Sequence, residues 1–185
     1  MMDKQTDWRD RLDSALKGNR RDAYSRYLQL ATVGLDGAPR CRTVVFRGFL
    51  EESNTLLAIT DGRSQKVEEI ARDSRAQAHW YFVRSREQFR MDTRVTMADL
   101  VSQERLVADV WSRLSEAARA QFFWRPPGAP LNTGESIPPT ENPPDNFLVM
   151  LIEPHQVDYL WLGKRHQRVI SVLSDGAWSE REVNP

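Results

Sequence analysis

Short stretches of alternating apolar and polar residues recur along this chain, a pattern that predicts β-strands. The clearest stretch is residues 42–49, which are rich in β-branched and aromatic side chains and carry arginines near both ends. Asp-Gly pairs at residues 36–37 and 175–176 are hairpin turn signals. The predicted strands are residues 28–33, 42–49, 56–59, 76–82, 88–92, 147–152, 156–162, 167–173 and 178–183. Short strands joined by tight turns favour a mainly β fold with flanking helices, in which an antiparallel sheet curls into a barrel and so removes its edges.

Helical spacing replaces this alternation near the start of the chain. Trp8 and Leu12 lie one helical turn apart and predict a short amphipathic helix. Thr6 or Asp7 is the predicted cap of that helix. We therefore expect residues 1–27 to form an N-terminal helical segment.

Two further segments have helical character, and one long segment has none. Residues 67–72 have the composition of a helix, and the spacing of apolar residues is helical again in an insert at residues 97–123, where Ser115 is a predicted cap. Residues 125–145 are rich in proline and predict a loop that is longer than compact domains usually carry. Because strands follow this loop, we expect residues 1–185 to form one domain.

Composition excludes several classes of function. The 26 basic and 26 acidic residues cancel, which argues against binding of nucleic acid or of an anionic membrane through the overall charge. Cys41 is the only cysteine, so a reducing, cytoplasmic location is the simpler expectation. His79, His155 and His166 are too widely spaced to suggest a zinc site. No apolar run is long enough for a membrane helix.

Hydroxyl groups and cations gather where one predicted helix begins. Thr60 ends a short apolar strand, and Ser64 and Lys66 precede the helical residues 67–72. Free backbone N–H groups and the positive end of the helix dipole favour an anion at such a position, most commonly phosphate.

The same residues carry a resemblance to a known family. Arg42-Thr43-Val44-Val45, followed by Thr60 and by Ser64-Gln65-Lys66, resembles the FMN-binding signature of the pyridoxamine 5'-phosphate oxidase family. Gln65 stands where that signature usually has arginine. Later segments extend the resemblance to most of the chain, and the arrangement as a whole is closest to a cyanobacterial-type branch of the family.

The resemblance implies an FMN-binding split β-barrel that forms a homodimer with the flavin between two chains. Arg42, Lys66 and the two hydroxyls suit the phosphate, and Gln88, Trp161 and Arg168 of the other chain would meet the flavin ring. The residues that the resemblance assigns to FMN are Arg42, Thr43, Val44, Val45, Thr60, Ser64, Gln65, Lys66, Gln88, Trp161 and Arg168.

The resemblance is weaker at the position of the substrate. The oxidases hold the substrate phosphate with a tyrosine, an arginine and a serine, and the corresponding residues here are Asp109, Arg113 and Ala117. Arg47 replaces a strand lysine that assists the substrate. The catalytic residue is therefore left open, with Arg47, Arg113 and His166 as candidates.

Several functions agree with these residues. The favoured one is an FMN-dependent oxidoreductase that acts on a small substrate, and the alternatives are a non-enzymatic flavin-binding or redox-sensing protein and a true pyridoxamine or pyridoxine 5'-phosphate oxidase. The same barrel with haem or a deazaflavin is a further alternative. Each site residue also has a purely structural interpretation: Arg42 and Arg47 as the wet side of an edge strand, Ser64 as a helix cap, Trp161 as core, Gln88 as surface, His79 as a structural histidine, and Glu68 and Glu69 as a solvated helix face.

Overall fold

The computed structural model describes residues 7–130 and 140–185, and its strands form one antiparallel sheet. The strands are β1 (Tyr27–Val33), β2 (Pro39–Val45), β3 (Gly48–Phe49), β4 (Leu56–Asp61), β5 (Arg75–Phe82), β6 (Glu87–Ala98), β7 (Phe147–Trp161), β8 (Gln167–Ser174) and β9 (Ala177–Val183). The helices are α1 (Asp7–Gly18), α2 (Gln65–Arg72), α3 (Leu100–Ser112) and α4 (Glu116–Ala120), with short 3-10 helices at Ala23–Arg26 and Gln121–Phe123.

The strand order is β2-β1-β5-β6-β7-β4-β3, and β8 and β9 extend the sheet from β7. One edge of β7 pairs with β6 along its length, while the other edge pairs first with β4 and then with β8. Among the described residues β2 pairs with β1 alone, so the sheet curls without closing. The predicted mainly β split barrel with flanking helices is confirmed, but the expectation that closure removes every edge is wrong.

Strand boundaries differ from the prediction where the backbone changes partner. The predicted strand at residues 42–49 is divided, because its backbone changes partner after Val45. The N–H of Phe46 donates to the carbonyl of Arg26, just before β1, whereas the N–H of Arg47 donates to the carbonyl of Leu57 in β4. Gly48 follows with a φ of +124°, a conformation that glycine adopts readily.

Two other boundaries were predicted wrongly. The two strands predicted at residues 147–152 and 156–162 are one strand, β7, which ends at Trp161. It continues past Pro154 because the register shifts there and leaves His155 as an extra residue opposite β6. Met97 and Ala98 end β6 and are not helical. Asp99, which sequence analysis missed, caps α3, while Ser115 caps α4 as predicted.

Two hydrophobic clusters lie on opposite faces of β4 and β7. The larger one fills the barrel and includes Trp8 and Leu12 of α1, both fully buried, which confirms the predicted N-terminal helix. The predicted cap Thr6 lies outside the described residues. The second cluster packs Trp111 of α3 against Phe122 and Phe147. Both faces of β7 are therefore covered near its start, which explains its continuous apolar run.

A buried ion pair attaches α2 to the sheet. The Nη2 group of Arg42 donates to Oε2 of Glu69 at 2.7 Å, and Thr32 donates to the same oxygen at 2.6 Å. Nη1 of Arg42 also donates to the Leu30 carbonyl at 3.2 Å. Glu69 has 0% exposure, so its interpretation as part of a solvated helix face is wrong. Its second oxygen, Oε1, has no hydrogen-bond partner among the described residues.

This geometry predicts a large stability loss for Arg42→Ala, because the substitution leaves the Glu69 carboxylate buried and unpaired. Removal of one partner of a buried pair costs roughly 3–5 kcal/mol. Urea denaturation should measure a loss of that size for Arg42→Ala and a smaller one for Arg42→Ala combined with Glu69→Leu.

Arg40→Ala is the matched control, because Arg40 lies on the same strand in an exposed pair with Asp36. Such pairs contribute about 1 kcal/mol or less. Equal losses for Arg40→Ala and Arg42→Ala would contradict the structural role of the Arg42–Glu69 pair.

Candidate functional site

An open cavity of about 600 Å³ lies between the β2–β4 side of the barrel and the segment that follows α4. This volume is typical of sites for small ligands and cofactors. The lining residues are Arg42, Thr43, Val44, Val45, Arg47, Ile59, Thr60, Asp61, Lys66, Ala118, Gln121, Phe122, Trp124, Arg125 and Pro127. Six of the predicted FMN-binding residues thus line one cavity: Arg42, Thr43, Val44, Val45, Thr60 and Lys66. Ser64 and Gln65 are not among the lining residues, because Ser64 is buried and Gln65 is exposed at the first position of α2.

A polar cradle, formed by Arg42, Thr60, Ser64 and Lys66, occupies one end of this cavity. Nζ of Lys66 lies 3.1 Å from the Thr60 hydroxyl and 3.0 Å from the Ser64 hydroxyl, and the two hydroxyls are 3.2 Å apart. Ser64 is the N-cap residue of α2, yet its side chain makes no capping hydrogen bond within the described structure. The cradle therefore combines an ammonium, two hydroxyls and a helix N-terminus, a donor set that suits a phosphate group.

The charge of Lys66 is incompletely compensated. Burial and the neighbouring positive charge of Arg42 lower the pKa of the Lys66 ammonium, and the nearby carboxylates of Asp61 and Glu69 oppose this shift without reversing it. An anion bound in the cradle would reduce the repulsion between the two cations. The electrostatics of the cradle thus favour a ligand that carries more than one negative charge.

A second network joins the cradle to the opposite wall of the cavity. The side chain of Arg63 donates two hydrogen bonds to Asp61, at 2.9 and 2.7 Å. Its Nη2 group also donates to the carbonyls of Phe122 and Trp124 at 3.3 and 3.1 Å. Asn146 also donates to Asp61 and to the Phe122 carbonyl. Burial raises the pKa of the Asp61 carboxyl, but the hydrogen bonds from Arg63 outweigh it and hold that pKa below its usual value. The wall that carries the half-exposed Trp124 is therefore fixed to the turn before α2.

The predicted ring-contacting residues lie elsewhere on the sheet. Gln88 on β6 and Arg168 on β8 are both register partners of Leu160 on β7, so they lie on one face with a single strand between them. Trp161 follows Leu160 and is 39% exposed. Its ring covers Gly163, where a Cβ atom would lie 2.4 Å from the indole, so any larger residue at this position would displace the ring. None of these residues is among those that line the described cavity of their own chain.

Asp158 holds two arginines on this outer face. Nε and Nη2 of Arg168 donate to its two carboxylate oxygens at 3.0 and 2.8 Å, and Arg90 donates as well. Burial raises the pKa of the Asp158 carboxyl, but the hydrogen bonds from Arg168 and Arg90 outweigh that effect and lower it. The cluster therefore keeps a net positive charge beside Gln88.

The structure separates the three catalytic candidates. Arg47 lines the cavity, its Nε atom is buried without a partner among the described residues, and burial lowers the pKa of its guanidinium. Arg113 pairs with Asp109 and borders another depression of about 540 Å³, which is lined by residues of β3 and α3. His166 is exposed in the turn between β7 and β8. Only Arg47 of the three is among the residues that line the described cavity.

Three residues that support the candidate site were not predicted from the sequence: Glu69, Arg63 and Asp158. A signal for Glu69 was present, because it lies three residues after Lys66 and therefore on the same face of α2. Arg63 carried no comparable signal, since its partners on the cavity wall are distant in sequence.

Neither a metal-binding cluster nor a membrane-spanning helix is found in the described part of the chain. Residues 7–130 and 140–185 contain no group of three or more histidine, cysteine or acidic side chains that could hold a metal ion. No helix in these two ranges is both long enough and apolar enough to cross a membrane.

Comparison with known proteins agrees with this geometry. The family model for the FMN-binding domain of pyridoxamine 5'-phosphate oxidase matches residues 5–99, which include the cradle. A protein from Arabidopsis thaliana, pyridoxine/pyridoxamine 5'-phosphate oxidase 2, is 34% identical over 96% of both chains.

Solved structures give the same result. A pyridoxamine 5'-phosphate oxidase-related, FMN binding protein from Nostoc punctiforme superposes with a TM-score of 0.94 and 40% identity over 98% of this chain and 100% of its own. PhzG from Burkholderia lata, solved with tetrahydrophenazine-1-carboxylic acid, has a TM-score of 0.78 over 95% of this chain and 90% of its own. Its 17% identity supports the fold alone. The chain belongs to the pyridoxamine 5'-phosphate oxidase family, and its cofactor is FMN.

Proposed function

We propose that this protein is an FMN-dependent oxidoreductase whose polar cradle binds the phosphate of FMN and whose Arg47 faces a small substrate. The observation that carries the proposal is the partly buried ammonium of Lys66, held between two hydroxyls at the end of a cavity of about 600 Å³. Bound FMN would supply hydride acceptance and reoxidation, while the protein supplies binding, orientation and charge.

The remaining first-strand residues fit the flavin in this arrangement. Thr43, Val44 and Val45 line the cavity beside the cradle. Among the described strands β2 pairs with β1 alone, so alternate backbone N–H and C=O groups of β2 are free to meet the polar edge of the flavin. The apolar side chains suit the flat ring system.

The functional unit in this proposal is a homodimer. Gln88, Trp161 and Arg168 lie away from the cavity of their own chain, so a second copy is the natural source of these residues for each site. A two-fold dimer would supply them twice, once to each cavity.

We therefore expect sedimentation velocity of the FMN-loaded protein to measure the mass of two chains. A single-chain mass that persists at micromolar concentration with FMN bound would contradict the shared site. Val101→Ala, at a 96% exposed position on α3, is a control that should leave the mass unchanged.

Oxidation of pyridoxine or pyridoxamine 5'-phosphate is the second candidate function, favoured by the name of the Arabidopsis relative and its identity of 34%. The local geometry weighs against it. Arg113 forms an ion pair with Asp109 at 2.8 Å, and Ala117 offers no side-chain donor for a substrate phosphate. Flavin binding without turnover, as in a redox-sensing protein, is the third alternative.

Anaerobic reduction of the bound FMN distinguishes these functions. Small amines, alcohols, reduced nicotinamides and the two vitamin B6 phosphates are each added to the loaded protein while the visible flavin absorbance is followed. We expect at least one compound outside the B6 group to bleach the flavin, oxygen to restore it, and Arg47→Met to slow the bleaching roughly tenfold by loss of a charged contact.

Bleaching only by the B6 phosphates would support the second candidate function. A flavin that responds to dithionite alone would contradict oxidoreductase activity and support the redox-sensing alternative.

Binding of FMN should weaken at alkaline pH. Only the protonated form of Lys66 attracts the phosphate, and in the free protein the pKa of this group is lowered, mainly by burial. FMN binding should raise that pKa. The affinity for FMN is therefore full at pH values below the pKa of Lys66 in the free protein. It falls as the pH rises through that pKa, which happens at a lower pH than for an ordinary lysine. Loss of one charge-assisted hydrogen bond corresponds to roughly a ten- to hundredfold loss of affinity.

Quenching of flavin fluorescence measures this effect when it is followed from neutral pH to about pH 10, near the ordinary pKa of lysine. Lys66→Arg is the control, because its charge persists throughout the range and its affinity should stay level. Identical pH profiles for the two proteins would exclude Lys66 as the phosphate-binding cation.

A further inference from the structure

A histidine on β5 lies between two glutamine side chains on the outer face of the sheet. Nδ1 of His79 is 3.2 Å from Oε1 of Gln29 on β1, and its Nε2 is 3.2 Å from Oε1 of Gln88 on β6. His79 is partly buried, and Gln29 is its register partner. The three side chains form a hydrogen-bonded row across three adjacent strands.

The chemistry of this row couples the orientations of its members. A neutral imidazole carries one N–H, so one ring nitrogen donates and the other accepts. A glutamine amide can present either its oxygen or its NH2 group, and the two differ only by a flip. A proton on Nε2 of His79 therefore turns the oxygen of Gln88 inward and its NH2 group outward. A proton on Nδ1 alone has the opposite effect on Gln88.

We propose that His79 is a positioning residue that orients the Gln88 amide so that Gln88 offers a donor to the flavin ring. This inference rests on the proposed function, in which Gln88 meets the FMN of the partner chain. The pyrimidine edge of a flavin carries two carbonyl acceptors and only one N–H donor. An outward NH2 group on Gln88 is therefore the better match, and bound FMN selects the form of His79 that is protonated at Nε2.

The surroundings of the row are consistent with this assignment. Arg90 is the register partner of His79 on β6, and its guanidinium is bound to Asp158 rather than to the imidazole. Among the described side chains, the two glutamines are the hydrogen-bond partners of the His79 ring.

Two-bond ¹H–¹⁵N NMR of the imidazoles reads the tautomer directly. The FMN-loaded full chain is labelled with ¹⁵N-histidine, and the signal of His79 is assigned by its loss in His79→Phe. We expect a proton on Nε2, with or without one on Nδ1. A proton on Nδ1 with a bare Nε2 would overturn the inference.

A double-mutant cycle on FMN affinity is the second measurement. His79→Phe should weaken FMN binding about three- to tenfold, the effect of one misdirected hydrogen bond. Gln88→Leu should weaken it further than His79→Phe does, and the double variant should be no weaker than Gln88→Leu, because His79 acts through Gln88. A purely structural His79 would add its own loss, which would overturn the inference.

Gln77→Leu is the matched control for the cycle. Gln77 lies on the same strand and face, two residues from His79, and bonds to Asp92 on β6 at 2.8 Å. It should leave FMN affinity unchanged. Equal losses for Gln77→Leu and His79→Phe would overturn the inference, whereas failure of the wild type to bind FMN would overturn the proposed function itself.

Discussion

The Glu69 carboxylate is the anchor on which the geometry of the candidate site depends. It is buried on α2, and it draws the Arg42 guanidinium from β2 inward through a hydrogen bond of 2.7 Å. Thr32 of β1 completes the contact. Because one carboxylate joins two strands and a helix, the N-terminus of α2 is held beside β4. Ser64 and Lys66 meet Thr60 in this arrangement.

The same anchor determines the electrostatics of the cradle. Glu69 neutralises one cation, Arg42, while Lys66 depends on hydroxyl groups and has a lowered pKa. A buried pair of this kind adds little net stability, because desolvation offsets the attraction. In the proposed site, this pair would hold the Arg42 guanidinium near the Lys66 ammonium, where a phosphate dianion could contact both. In the proposed site Arg42 would thus have both a structural and a ligand-binding role, and a test of phosphate binding is cleaner on Lys66.

The proposed site divides into two parts, the cradle and the outer face of the sheet. His79, Gln88 and Arg168 lie on this outer face, opposite the core. In the split barrel this face stays uncovered in the single chain and displays polar side chains at the positions that alternate with the core. The inferred orientation of Gln88 and the proposed dimer both depend on this exposed surface.

Alternation of side chains was sufficient to predict most strands, because each strand has one face in the core. It failed where both faces are buried or the chain changes partner, as at β7 with its extra residue His155 and at Gly48. The cradle was predictable because its members are close in sequence and have charges or hydroxyls of the required kind. Long-range contacts such as those of Arg63 with the Phe122 and Trp124 carbonyls have no local pattern and require the structure.

The most direct test of this account is complementation between two damaged chains. One variant carries Lys66→Met, which removes the ammonium of the cradle. The other carries both Gln88→Leu and Arg168→Met, which remove the outer-face contacts. The two variants are refolded separately and as a mixture, and bound FMN is measured. In a shared two-fold site, random mixing creates intact sites in mixed dimers only, so FMN binding should recover to about a quarter of the wild-type level. No recovery, after a tag on one variant has shown that mixed dimers form, would contradict the claim that each flavin is held by two chains.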